Sequence, residues 1–149
     1  MKKWLVVMLA TLGLSSVVSA QTATNPWTKT VAHSPIYSGA PGANYATMAF
    51  TPSGIAAGRT IAKVEFLWNP YPNGNTQEDV QICFTNYPGG ALDCNPVPLP
   101  ASTAGIITPT NAYNGKDARS TISIRHTLTG GTYPANAAGV SDTVWITWQ

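Results

Sequence analysis

From residue 120 to 128 the chain changes character at every step. Ile122, Ile124, His126 and Leu128 fall on one side, and Thr121, Ser123, Arg125 and Thr127 on the other. A period of two belongs to a β-strand with one buried face, and it returns elsewhere. In 60–68, Ala62, Val64, Phe66 and Trp68 oppose Lys63 and Glu65. In 142–148, Val144, Ile146 and Trp148 oppose Trp145. In 79–85, Val80, Ile82 and Phe84 point inward, which sends Cys83 to the opposite face. Shorter strands are expected at 45–50, at 104–109 and, interrupted by Pro35, at 31–37, and 91–94 is expected to return along the hairpin after 79–85. Gly and Pro clusters separate these segments, and no apolar 3.6-residue period appears after residue 20. Seven or eight short strands read as an all-β, mostly antiparallel β-sandwich with one disulfide-bridged hairpin. A closed barrel is the alternative.

The first twenty residues follow another logic. Lys2 and Lys3 precede an apolar run from residue 4 to 14, and Val18-Ser19-Ala20 places small residues before a cut. This is the pattern of a secretory signal peptide, cleaved after Ala20, with a single domain at 21–149 and a periplasmic or secreted destination. The apolar run is too short to span a bilayer, and no transmembrane segment is expected. No cysteine follows the cut, which argues against a lipid anchor. Roughly 130 residues then remain, enough for one core without metal. Eight basic residues, two of them in the segment that is removed, stand against six acidic ones. The mature chain is therefore close to neutral and offers no electrostatic handle for nucleic acid.

Cys83 and Cys94 are the two cysteines. In an exported chain they read as one structural disulfide, closing a loop of about a dozen residues around the turn Tyr87-Pro88-Gly89-Gly90. A redox pair would more often be Cys-x-x-Cys, and a zinc site needs more ligands.

Ionisable chemistry is sparse. His126 sits on the inward side of its strand and reads as a hydrogen-bonded core histidine rather than a base. His33 is expected to face solvent or cap a loop. As a pair they lack local metal-ligand spacing, and the sequence names no metal site, cofactor or catalytic residue. Among the acids, Glu65 beside Lys63 reads as a solvated strand face, and Asp79 and Asp93 flank the hairpin. No Gly-x-Ser-x-Gly elbow, Ca²⁺ loop or phosphate-binding glycine loop is present. The aromatics carry more promise. Trp27, Tyr71, Tyr113 and Trp145 are candidate contacts for a partner protein or a glycan. Trp145 leads, because Val144 and Ile146 claim the other face.

The element order resembles a known family. The strand Ile61-Ala-Lys-Val-Glu-Phe-Leu-Trp68 leads through a Pro/Gly loop to Val80-Gln-Ile-Cys83, and a second cysteine follows across a short hairpin. Gly105-Ile-Ile-Thr-Pro109, Thr121-Ile-Ser-Ile-Arg125, Gly130-Gly131, Pro134 and the closing Thr143-Val-Trp-Ile-Thr-Trp148 complete the order. This is similar to the FlhE family, small periplasmic proteins of the bacterial flagellum, over about residues 55–149. The cysteine spacing is wider than that family leads one to expect, and the Pro-rich stretch 95–100 departs from it. The resemblance implies a non-enzymatic accessory protein associated with flagellar assembly or with limiting proton leakage through the export apparatus. Its partners would be export-apparatus or rod components. The family supplies no catalytic residues; Cys83 and Cys94 carry over as a structural pair. The competing expectation is a secreted carbohydrate-binding or adhesin-like module. A small hydrolase using His126 as base is a third, and no motif supports it.

Overall fold

The computed structural model describes residues 26–94 and 103–149. The expected signal peptide 1–20, the polar stretch after it and Pro96, Pro98 and Pro100 lie outside the described residues. Seven strands follow in chain order: β1 (Trp27–Ala32), β2 (Tyr45–Phe50), β3 (Ile61–Leu67), β4 (Gln77–Thr85), β5 (Thr108–Thr110), β6 (Thr121–Thr129) and β7 (Ser141–Trp148). They form a four-stranded sheet in the order β1-β7-β3-β5 and a three-stranded sheet in the order β2-β6-β4. Every pairing is antiparallel.

The two inner faces make one core. β2 supplies Met48 and Phe50, β3 Ile61, Val64 and Phe66, and β4 Ile82 and Phe84. β6 adds Ile122, Ile124 and Leu128, and β7 adds Val144 and Ile146. Alternation places these residues, since a half-buried strand must keep its apolar side chains on one face. In β3 the alternation is broken once. The register shifts between Ile61 and Lys63, so Ile61 and Val64 both reach the core, and Ala62 is only half-buried. Such a bulge inserts an extra residue into one strand.

Three strand expectations are corrected in position. The first strand runs over Trp27–Ala32, ahead of the expected 31–37; beyond it Ile36 makes an isolated bridge to Ala135. The strand expected at 104–109 is the three-residue β5, because Ile106 and Ile107 are exposed and pairing with β3 begins only at Thr108. The return limb at 91–94 is a single bridge between Phe84 and Asp93 rather than a strand.

The Cys83–Cys94 disulfide is formed, and neither cysteine is free. Cys83 stands opposite Ser123 in the β4–β6 ladder, between the inward Ile82 and Phe84. Both Cys83 and Ser123 are buried, although they lie on the face turned away from the core. The bridge thus fastens the limb after β4 across that back face.

Candidate functional site

At one end of the sandwich the inner faces stop being apolar. His126 continues the inward series of β6, and Glu78 occupies the inward phase of β4, opposite Leu128. Asp142 opens the inward series of β7, where it pairs in register with Val31. His33 follows the last residue of β1, and its backbone N–H donates to the Val140 carbonyl at 3.1 Å. Four strand ends therefore deliver two imidazoles and two carboxylates to one place.

They form a continuous chain of hydrogen bonds. His126 donates from Nδ1 to Glu78 Oε1 at 2.5 Å and from Nε2 to Asp142 Oδ2 at 2.8 Å. His33 Nε2 lies 2.8 Å from Asp142 Oδ1. The side chains of His33, His126 and Asp142 are fully buried, and Glu78 is nearly so. Burial alone would lower the His126 pKa. The hydrogen bonds to Asp142 and Glu78, reinforced by their charges, outweigh it and raise the pKa above the usual histidine value. Burial likewise pushes the Asp142 carboxyl up, but the hydrogen bonds from both histidines hold it below the ordinary carboxylate range. Within the His126–Asp142 pair each partner favours the charged form of the other, as buried groups do when they are paired and hydrogen-bonded.

Residues 68–76 cover this chain of charges. The Asn69 backbone N–H donates to Asp142 Oδ1 at 3.0 Å, and its side-chain amide donates to the Ser141 carbonyl at 2.6 Å. The Tyr71 N–H donates to Glu78 Oε2 at 3.0 Å, while its hydroxyl donates to the Ser34 carbonyl at 2.6 Å. The Tyr71 ring stacks on His33 at 4.6 Å and meets His126 edge-on at 5.6 Å. Trp68 approaches His126 edge-on at 5.9 Å. Burial, with the Asp142 and Glu78 charges, drives the Tyr71 phenol pKa well up, so it remains a neutral donor. Gly131 lets this loop sit close. A Cβ there would lie 2.7 Å from Asn73 Nδ2 and 2.8 Å from its carbonyl oxygen, and the backbone is left-handed at φ +82°. The neighbouring Thr132 N–H donates to that same carbonyl at 2.9 Å.

The structure corrects one expectation here. His33 does not face solvent; it is 8 % exposed. His33 and His126, which have no local spacing in the sequence, are brought together by the fold, their rings 4.7 Å apart on either side of Asp142. The expectation of a hydrogen-bonded core histidine holds for His126. Both of its nitrogens face carboxylate oxygens. One donor atom from each of His33, His126 and Asp142 falls within 4.8 Å of the others, a spacing that could hold a metal ion.

The aromatic candidates separate. Tyr71 and Tyr113 are buried, at 3 % and 6 % exposure, which removes them from the surface proposed for them. Tyr113 stacks on Phe84 at 5.0 Å, and its hydroxyl donates to the Ile82 carbonyl at 3.1 Å. Trp27 is half-buried and packs against the core from the inner side of β1. Trp145 differs from all three. It lies on the outer face of the four-stranded sheet, half-buried, with Thr28 on one side and Glu65 on the other. The neighbouring outer rows carry Thr30, Thr143 and Leu67, and then Thr147 and Lys63. Lys63 and Glu65 pair at 3.1 Å.

No protein-family model, curated protein or solved structure matches this chain.

Proposed function

We propose that this is an extracytoplasmic accessory protein of the FlhE kind, which binds a protein partner through the outer face of the β1-β7-β3 sheet. Trp145 carries this reading. It is a large aromatic in the middle of an outward sheet face, among threonines and one exposed ion pair. Aromatics of this kind, set in a polar surround, are the usual anchors of protein interfaces. The ionisable groups at the end of the sandwich support a role without catalysis, because they are buried beneath the covering loop and bonded chiefly to one another. The disulfide fits an oxidising compartment. The order of strands, the cysteine pair and the closing Thr-Val-Trp-Ile-Thr-Trp strand support the flagellar family as the source of the partner.

The test is genetic and biochemical together. Deleting the gene should impair motility, and the native protein should restore it. Trp145→Ala should fail to restore motility while its stability stays within about 1 kcal/mol of the native protein. Retention of the native protein on a glycan array, lost in Trp145→Ala, with motility intact would replace this reading with the carbohydrate-binding one. A fall of several kcal/mol in Trp145→Ala would assign the residue to packing.

A further inference from the structure

The cluster at the end of the sandwich leaves one nitrogen unused. Both His126 nitrogens face carboxylate oxygens, one of Glu78 and one of Asp142. His33 reaches the other oxygen of Asp142 through Nε2. Its remaining nitrogen, Nδ1, is buried without a hydrogen-bond partner. Two imidazoles and two carboxylates are thus gathered out of water, an arrangement that is expensive to maintain.

We propose that His33, His126 and Asp142 form a binding site for a divalent transition-metal ion of the Zn²⁺ class, which joins the two sheets. Two imidazoles and a carboxylate are a donor set suited to Zn²⁺, whereas Ca²⁺ and Mg²⁺ prefer all-oxygen cages. The donors already lie within 4.8 Å of one another. Glu78 takes the place that an outer carboxylate holds in many zinc sites: it accepts from the far nitrogen of a ligating histidine, fixing that ring's orientation and tautomer. Asn69 does the same for the carboxylate, donating to Asp142 Oδ1. The proton balance is simple. The ion replaces the Nε2 protons of both histidines. The His126 proton is released to solvent, and His33 keeps one proton, now on Nδ1. The two carboxylates and the ion then sum to zero charge.

The ion would tie β6 of one sheet to β7 and the end of β1 in the other. Because the donors are covered by residues 68–76, loading is best tested during folding. The protein, carrying no histidine tag, is refolded with ZnCl₂ or with CaCl₂ and freed of excess ion by gel filtration. Bound metal is then measured by atomic absorption. The Zn²⁺ arm should retain one ion per chain and show a raised melting temperature; the Ca²⁺ arm should retain none. Glu78→Gln should weaken Zn²⁺ binding by ~10–100-fold, the usual effect of removing such an outer partner. His33→Gln, which still offers Asp142 a donor, should retain no Zn²⁺. Nitrogen-detected NMR of the native protein supplies a readout that does not depend on whether the variants fold. In protein refolded with Zn²⁺, compared with protein refolded without it, both Nε2 protons should be absent and a His33 Nδ1 proton present. Protein refolded with Zn²⁺ that retains none overturns the site. So does equal retention by a folded His33→Gln variant, or imidazole signals that Zn²⁺ leaves unchanged.

Discussion

Nε2 of His126 and Oδ2 of Asp142 lie 2.8 Å apart, and the strands that carry them belong to different sheets. An ion pair therefore joins the two layers at the point where the apolar core ends. Its energetics differ from those of Leu128 and the isoleucines of the core. Apolar packing degrades gradually as atoms are removed. A buried ion pair fails when one member is lost, because the survivor is left charged and unsolvated.

Asp142→Asn in metal-free protein should therefore cost about 3–5 kcal/mol, the usual penalty for breaking a buried pair from one side. The exposed Asp79→Asn, on the neighbouring sheet, should stay within about 0.5 kcal/mol. Urea unfolding of both variants against the native protein measures the difference. Equal effects would show that Asp142 is no more than a surface-like acid.

The glycine at position 131 makes a sharper contrast. Gly131→Ala meets a left-handed backbone and the Asn73 main chain at 2.8 Å, so both strain and overlap oppose it. We expect a loss of roughly 2–4 kcal/mol, with displacement of the loop that covers Asp142. Gly42→Ala has a similar φ of +82° but nothing within 4 Å, and should lose about 1 kcal/mol. Thermal denaturation of the pair separates backbone strain from steric contact.

Removing the disulfide by Cys83→Ser with Cys94→Ser should lower stability by about 2–4 kcal/mol. The native protein should show no reactive thiol until it is reduced. A thiol titration under denaturing, non-reducing conditions checks this, and two reactive groups would contradict the bridge.

Tyr113 makes the fold sensitive to alkali. Burial, with a contribution from the Asp93 charge, pushes its phenol up to about 12 from the ordinary 10.0. A raised phenol pKa means that the folded state binds the proton more tightly. The stabilisation is complete below pH 10 and falls as pH rises toward 12. Tyr113→Phe should keep the stack on Phe84, lose about 1 kcal/mol at neutral pH with its hydrogen bond, and flatten the alkaline decline. Phenolate absorbance followed against unfolding tests this. An unaltered alkaline limb in Tyr113→Phe would assign the decline to another group.

What the sequence revealed was decided by distance along the chain. β2, β6 and β7 were legible because Met48 and Phe50, Ile122 to Leu128, and Val144 and Ile146 repeat every two residues. β1 was not, since Thr28, Lys29 and Thr30 are exposed on an edge and show no apolar alternation. The cluster was legible only in fragments. The period of two placed His126 inside, and the same count places Asp142 on the face of Val144 and Ile146. An acid in that phase was the available signal. His33 is 109 residues from Asp142 and follows the end of its strand, where no periodicity reaches it. Tyr71 and Tyr113 misled because loop position implies exposure, whereas here each loop folds inward and finds a carbonyl for its hydroxyl.

The pairing of β1 with β7 has a mechanical consequence. Trp27, which begins β1, stands opposite Ile146 near the end of β7, so the chain enters and leaves this ladder at the same end. Tension applied through those two ends would load the hydrogen bonds one after another instead of all together. The ladder would peel from Trp27 toward Ala32, and β1 would detach while β7 remained paired with β3. A molecule built this way yields to a pull along its own chain at low force.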